Sequence, residues 1–271
     1  MIEALQFEFM RNALIAGVLA SIACGVIGAY VVVNRIVFIS GGIAHASYGG
    51  IGLAFFFGFA PLLGAMGFSL LIALIIALVT LHQKHRADTI IGVLWAVGMA
   101  LGVILIDLTP GYNVDLMSYL FGSILTVPRQ DLFIMGGLDL LICITVIVFY
   151  RNFLALSYDE EFARVRGVPV RALYVVLLTM TALSVVMIIR VVGLILVIAL
   201  LTIPPYVSER HCGSLMGMMV LSTIISMFCV ITGLFLSYSF NLTSGATIIM
   251  TAAAVFFAST LWNLVRGALK A

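Results

Sequence analysis

Charge is what this sequence has least of. Among its 271 residues only 9% are Asp, Glu, Lys or Arg, while 64% are apolar, a balance that excludes a soluble globular chain. Cysteine is sparse as well. Cys24, Cys143, Cys212 and Cys229 are scattered without a CxxC spacing, so neither a disulfide framework nor a thiolate metal site is indicated and they read as packing residues. No GxxxxGK[ST] stretch occurs, so the chain has no loop of its own to cradle ATP phosphates. A paired nucleophile and base at membrane depth is also missing, which counts against an intramembrane enzyme. The formal charge of +2 gives no footprint for nucleic acid. Glu3 and Glu8 stand where a signal peptide would be basic, so the first apolar run is expected to stay in the protein.

What is present is a series of apolar runs of about twenty residues, the length a helix needs to cross roughly 30 Å of hydrocarbon. The fold class is therefore all-α: a polytopic membrane helical bundle of eight to nine transmembrane helices with membrane lipid around it, plus a short cytoplasmic helix. Hydropathy gives spans at 11–33, 36–59, 62–81, 89–108, 131–150, 171–189, 191–207, 215–239 and 245–265. No linker or repeat divides the chain, which reads as one transmembrane domain over 1–271. The connections 82–88 and 151–171 hold six of the thirteen basic residues, which places both in the cytoplasm. Alternation then leaves Arg11, Arg129 and Arg190 outside, with the N-terminus external and the C-terminus internal. A re-entrant segment would reduce the count to eight.

The second span, IVFISGGIAHASYGGIGLAFFFGF at 36–59, is unlike a lipid-facing helix. It carries His45 together with Gly41, Gly42, Gly49, Gly50 and Gly52. Glycine weakens a helix and histidine is costly in hydrocarbon, so both belong where helices approach closely or where a polar path needs a ligand. Small-xxx-small spacings at Gly98/Gly102 and Gly213/Gly217 are further candidate packing seams. Asp139, midway along the fifth span, is a carboxylate at a depth similar to that of His45 and a candidate anionic ligand; an interhelically bonded aspartate is the other reading. His82 and His85, and His211 beside Glu209 and Cys212, read as solvated helix ends or as points that catch an exiting ion. Thr202, Pro204 and Pro205 interrupt the seventh span and predict a kink.

Two connections are structured. NVDLMSYLFGSIL, between Pro110 and Pro128, is too short to span and too apolar for a plain loop, and is expected to form a short helix at the outer side. In SYDEEFARVRGVPV, Ser157 and Glu160 have capping-box spacing, the acidic residues Asp159 to Glu161 suit a helix N-terminus, and Gly167 with Pro169 supplies a stop. The exposed Phe162 and its flanking Arg164 and Arg166 suit either a membrane surface or a partner protein.

The sequence resembles the permease subunits of bacterial ABC importers for zinc, manganese and ferrous iron. The likeness rests on SGGIAHASYGGIGLAFFFG at 40–58, ADTIIGVLWAVGMALGVILI at 87–106, DLMSYLFGSIL at 115–125, DEEFARVRGVPV at 159–170, VVGLILVIALLTIPP at 191–205 and GLFLSYSFNLTSGATI at 233–248. It implies that the 159–166 helix is a coupling helix seated in an ATPase subunit, with Asp159, Glu160, Phe162, Ala163, Arg166 and Gly167 at or beside the contact. It also implies a homodimer, two ATP-binding cassette subunits that use the ATP, an extracytoplasmic metal-binding protein, and a divalent metal as cargo, with no cofactor bound by this chain. The family commonly has an aspartate four residues before the histidine; here that residue is Gly41. Asn241 and Thr243 likewise replace the usual Asp and Pro near the outer mouth. Zinc leads among the ions on this reading. A permease for chelated iron or a cobalamin-like ligand, which usually needs a larger chain, and an ion-coupled secondary transporter, which would use more intramembrane carboxylates, are the competing functions.

Overall fold

The structure is a computed structural model that describes residues 6–82, 87–110, 122, 124–194 and 197–268. Among the described residues all regular structure is helical, as a chain in hydrocarbon requires when each backbone N–H and C=O must be satisfied within its own segment. The elements are α1 (Glu8–Val33), α2 (Val37–Ala46), α3 (Tyr48–Phe57), α4 (Pro61–His82), α5 (Ala87–Asp107), a 3-10 turn at Ile124–Thr126, α6 (Arg129–Tyr158), α7 (Glu160–Val165), α8 (Val170–Val192), α9 (Val197–Glu209), α10 (Leu215–Phe240) and α11 (Ser244–Ala268).

Among the described residues eight helical spans are long and apolar enough to cross a membrane, with α2 and α3 forming one of them across an irregularity at Ser47. The ninth expected span is different. Gly193 (φ 82°) closes α8, and the next described helix, α9, starts at Val197 and has 13 residues. At 1.5 Å per residue it is about 20 Å long, short of a full crossing by itself. The segment nevertheless joins the two ends of the bundle. At one end the backbone of Val192 and Gly193 lies against Gly122, Arg190 pairs with Asp131, and Asn12 donates to the Val127 carbonyl at 3.5 Å. At the other, Glu209 and Cys212 line a cavity of about 290 Å³ together with Arg35, Ser157 and Tyr158.

Helix α1 is the hub, packed against α10, α9, α6 and α8, while α3 lies between α4 and α5. The small alanine, glycine and serine residues of α1 let neighbours approach, which is how bundles cohere in lipid without a hydrophobic driving force between helices. Large apolar side chains such as Phe133, Leu140, Ile147 and Val148 on α6 and Phe257 and Leu261 on α11 are exposed, as lipid-facing residues are. The Gly98/Gly102 spacing is a true seam: a Cβ at Gly98 would lie 2.7 Å from Ala46 Cα, and one on Gly52 would lie 2.6 Å from the Gly102 carbonyl. The Gly213/Gly217 spacing is not. A Cβ on Gly213 meets nothing within 4 Å, and Gly217 instead donates its N–H to Ser214 Oγ, at 3.2 Å, in the N-cap of α10.

Pro204 and Pro205 lie inside α9, where Ser208 Oγ donates to the Pro204 carbonyl at 2.8 Å and Thr202 Oγ1 to that of Ile198 at 2.7 Å. These hydroxyls bind carbonyls in the region where proline interrupts the ladder. Most of the helix expected between Pro110 and Pro128 lies outside the described residues; what is described ends in the turn at Ile124–Thr126.

Candidate metal site

His45 sits in the last turn of α2, in the most enclosed of the eight spans, and is 8% exposed. Just beyond it the helix is irregular at Ser47, which keeps right-handed helical angles and whose hydroxyl donates to the Ala44 carbonyl at 2.6 Å. Its imidazole lies flat on the indole of Trp95 from α5, with ring centroids 4.1 Å apart and planes 7° from parallel. His45 Nδ1 is wholly buried without a hydrogen-bond partner. That leaves Nε2 as the nitrogen open to an ion. No neighbouring side chain or carbonyl fixes the ring through Nδ1, so the bundle does not use this imidazole as an interhelical hydrogen bond through that nitrogen.

Trp95 was not legible as part of the site. Its Nε1–H donates to Met99 Sδ at 3.2 Å, and Phe38 from α2 leans on the same indole at 6.2 Å. The signal in the sequence is the pair Trp95 and Met99 at helical spacing beside the Gly98/Gly102 seam, which places both residues on the side of α5 facing the second span. Gly41, one turn before His45, leaves room that Ile198 of α9 fills; a Cβ there would lie 2.6 Å from Ile198 Cδ1.

Asp139 is not brought to His45. Helix α6 packs on α1 and α8, whereas α2 packs chiefly on α5, α8 and α4. The carboxylate is 5% exposed and neither oxygen has a hydrogen-bond partner. Similar depth along two spans does not make two residues neighbours when their helices face different partners. Among the described residues no group of three His, Cys, Asp or Glu could hold a metal ion. His211 Nε2 lies 3.3 Å from Ser259 Oγ at the basic end of the bundle, and His85 is outside the described residues.

The short helix α7 is capped by Asp159, whose carboxylate accepts the Phe162 N–H at 2.8 Å. The capping-box reading with Ser157 fails, because α6 continues through Tyr158 and Ser157 Oγ instead accepts from Asn34 Nδ2 at 2.9 Å. Glu160 and Arg164 form an i,i+4 pair at 2.7 Å, and the Arg166 guanidinium lies 5.5 Å from the Phe162 ring centroid. Gly167, at φ 75°, ends the helix in a conformation suited to glycine. Phe162 and Val165 are 51% and 87% exposed, while Ala163 is fully buried. Ala163 therefore seats the helix on its own bundle, and the outward contact falls to Phe162 and Val165. At the far mouth, Asn241 takes the left-handed conformation that closes α10, which accounts for asparagine there without a ligand role.

The family model for the ABC 3 transport family matches residues 6–263. The chain belongs to that family. An uncharacterized membrane protein of Synechocystis is 53% identical over 259 residues, covering 96% of this chain and 92% of that one. The manganese import system permease protein ScaB of Streptococcus parasanguinis is 32% identical, covering 94% and 90%. The solved structure of PsaBC from Streptococcus pneumoniae in complex with Fab superposes with a TM-score of 0.86 at 34% identity, over 95% of this chain and 93% of that one. The chain is thus a multi-pass bacterial membrane protein and a permease component of a metal ABC transporter.

Proposed function

We propose that this chain is the transmembrane subunit of an ATP-driven importer for divalent transition-metal ions, with His45 as a ligand on the path. The observation that carries the reading is a buried imidazole with no hydrogen-bond partner in the most enclosed span of a metal-transport family member. Kinship with a manganese import permease supports manganese as cargo. The chemistry at His45 supports zinc, because an imidazole without an adjacent carboxylate follows the order in which zinc outranks manganese, whereas oxygen ligands suit manganese. Both ions pass on this reading, and zinc binds His45 the more tightly.

The chain works as a homodimer with two ATP-binding cassette subunits beneath it and an extracytoplasmic metal-binding protein above. It binds no cofactor, and ATP is used by the partner subunits. The exposed face of α7 supports contact with the ATPase, since Phe162 and Val165 project from a helix whose other side is anchored by Ala163. A secondary transporter has no use for such a helix. One imidazole per chain holds an ion weakly, and a pathway needs that so that the ion can leave.

The test is accumulation of radiolabelled zinc in cells expressing the chain with its cognate ATPase and binding protein. His45→Ala is expected to lower uptake at least about tenfold with the protein still in the membrane, the loss of one charge-assisted contact of roughly 1.4 kcal/mol or more. Unlabelled zinc should compete better than manganese. Uptake unchanged by the substitution removes His45 from the path; no uptake of zinc, manganese or iron removes the importer reading.

A further inference from the structure

We infer that Trp95 is a positioning residue that fixes the His45 imidazole for metal and favours its metal-bound form; this rests on His45 being a pathway ligand. Metal-binding histidines are usually oriented by a carboxylate or carbonyl that accepts the second ring N–H. His45 has no such partner on Nδ1. What sets its ring plane is the indole face, parallel at 7° and 4.1 Å. The indole is itself fixed. Its Nε1–H is bound to Met99 Sδ, Phe38 leans on its ring, and three residues later α5 is locked to the second span by the Gly98 contact with Ala46.

Two consequences follow from the stack. It covers one face of the imidazole, so an ion reaches Nε2 in the plane of the ring, where the lone pair lies. A metal-bound imidazole is also electron-poor, and positive charge over an indole face is attracted to it, so Trp95 stabilises the loaded histidine more than the empty one. The element that supplies electrostatic support is then an aromatic plate in place of the carboxylate that position 41 lacks.

The chain has two tryptophans, Trp95 and Trp262, so Trp262→Phe leaves a single indole at the site. The full-length chain carrying Trp262→Phe, in lipid nanodiscs, is titrated with zinc chloride and separately with manganese chloride. Saturable quenching of Trp95 emission is expected, and it disappears when His45→Ala is added. Calorimetric zinc titration of chains retaining Trp262 is expected to show Trp95→Leu binding roughly three- to thirtyfold more weakly than native, with Trp95→Phe recovering most of the loss.

If Trp95→Leu binds zinc as tightly as native while His45→Ala abolishes binding, the role of Trp95 is overturned and that of His45 stands. If zinc binds by calorimetry but Trp95 emission is unmoved, the inference is overturned even should Trp95→Leu fail to fold. Absence of binding of both metals to the native chain overturns the His45 reading and this inference together.

Discussion

Gly50 and Gly41 show how much a single missing methyl group decides in the second span. A Cβ on Gly50 would run into the backbone carbonyl of Gly64, which cannot rotate away, so Gly50→Val is expected to destabilise the protein by about 1–3 kcal/mol through overpacking. Gly67 and Gly92, also helical, face open space, and Gly92→Ala should instead be neutral or gain roughly 0.5–1 kcal/mol of helix propensity. Thermal unfolding of the three proteins in one detergent checks both signs. At Gly41 the obstacle is the end of the Ile198 side chain, which can turn aside. Gly41→Asp is therefore expected to fold and to place a carboxylate one turn from His45, raising manganese's strength as a competitor of zinc uptake several-fold; an unchanged ranking of the two metals would mean position 41 does not face the ion. The part of the site that the sequence made legible was His45 and the glycines around it, since both are expensive in a lipid-facing helix. Trp95 was not legible, because a tryptophan in an apolar run suits a lipid-facing position as well as a helix contact, and only the packing of α5 on α2 reveals what it covers. Asp139 misled for the opposite reason: depth is readable along one span, but the face a helix turns to its neighbours is not.

At the scale of elements, α7 is the clearest case of local sequence fixing local structure. Asp159 caps it, Glu160 and Arg164 pair along it, and Gly167 stops it, three devices within nine residues. The stop was readable from Gly167 and Pro169; the cap was misplaced by two residues because nothing in SYDEEF says that α6 keeps its last turn through Tyr158. Removing the cap with Asp159→Ala should cost the helix about 0.5–2 kcal/mol. Phe162→Ala leaves the helix intact and removes its exposed apolar contact. On the reading that α7 seats in an ATPase, Phe162→Ala is expected to reduce metal uptake at least about tenfold while the chain remains folded in the membrane. The measurement is uptake alongside co-purification of the ATPase; uptake at the native level would assign Phe162 to the membrane surface instead. The Arg190–Asp131 pair plays a comparable joining role between α8 and α6 at the other end. Removing one member leaves a largely buried charge unpaired, so Arg190→Leu should destabilise by up to about 3 kcal/mol, and adding Asp131→Leu should restore part of it. Chemical denaturation of the two single variants and the double variant gives the coupling.

For the whole molecule the short helix α9 decides the topology. Eight long helices alone would return the chain to the side on which it started. Helix α9 is expected to supply the ninth passage, because Gly193 ahead of it shares the layer of Gly122 and the Arg190–Asp131 pair, and its last residue, Glu209, shares a cavity with Arg35 and Ser157. A helix of about 20 Å suffices because it is walled by α1, α10 and α11, and the backbone at Gly193 lies against Gly122, so it borders protein in place of lipid. The end bearing Arg35, Arg164, Arg166 and Arg210 is the cytoplasmic one by the distribution of basic residues. The start of α1 then faces the outside and the end of α11 the inside, with His211 and Ser259 meeting at that inner end. Cysteines placed at Phe7 and at Arg266, one at a time in a chain with Cys143 and Cys212 changed to serine, report this directly. Cys24 and Cys229 can stay, since both are buried. A membrane-impermeant maleimide applied to intact cells is expected to label the cysteine at 7 and not the one at 266, which should react only after the membrane is opened. Labelling of both from outside would mean that 193–209 enters and leaves by the same face, and the inner placement of Glu209 and Cys212 would be wrong with it. Labelling of 266 alone would reverse the whole bundle, turning α7 away from any cytoplasmic ATPase and removing the basis on which Phe162 is assigned its contact.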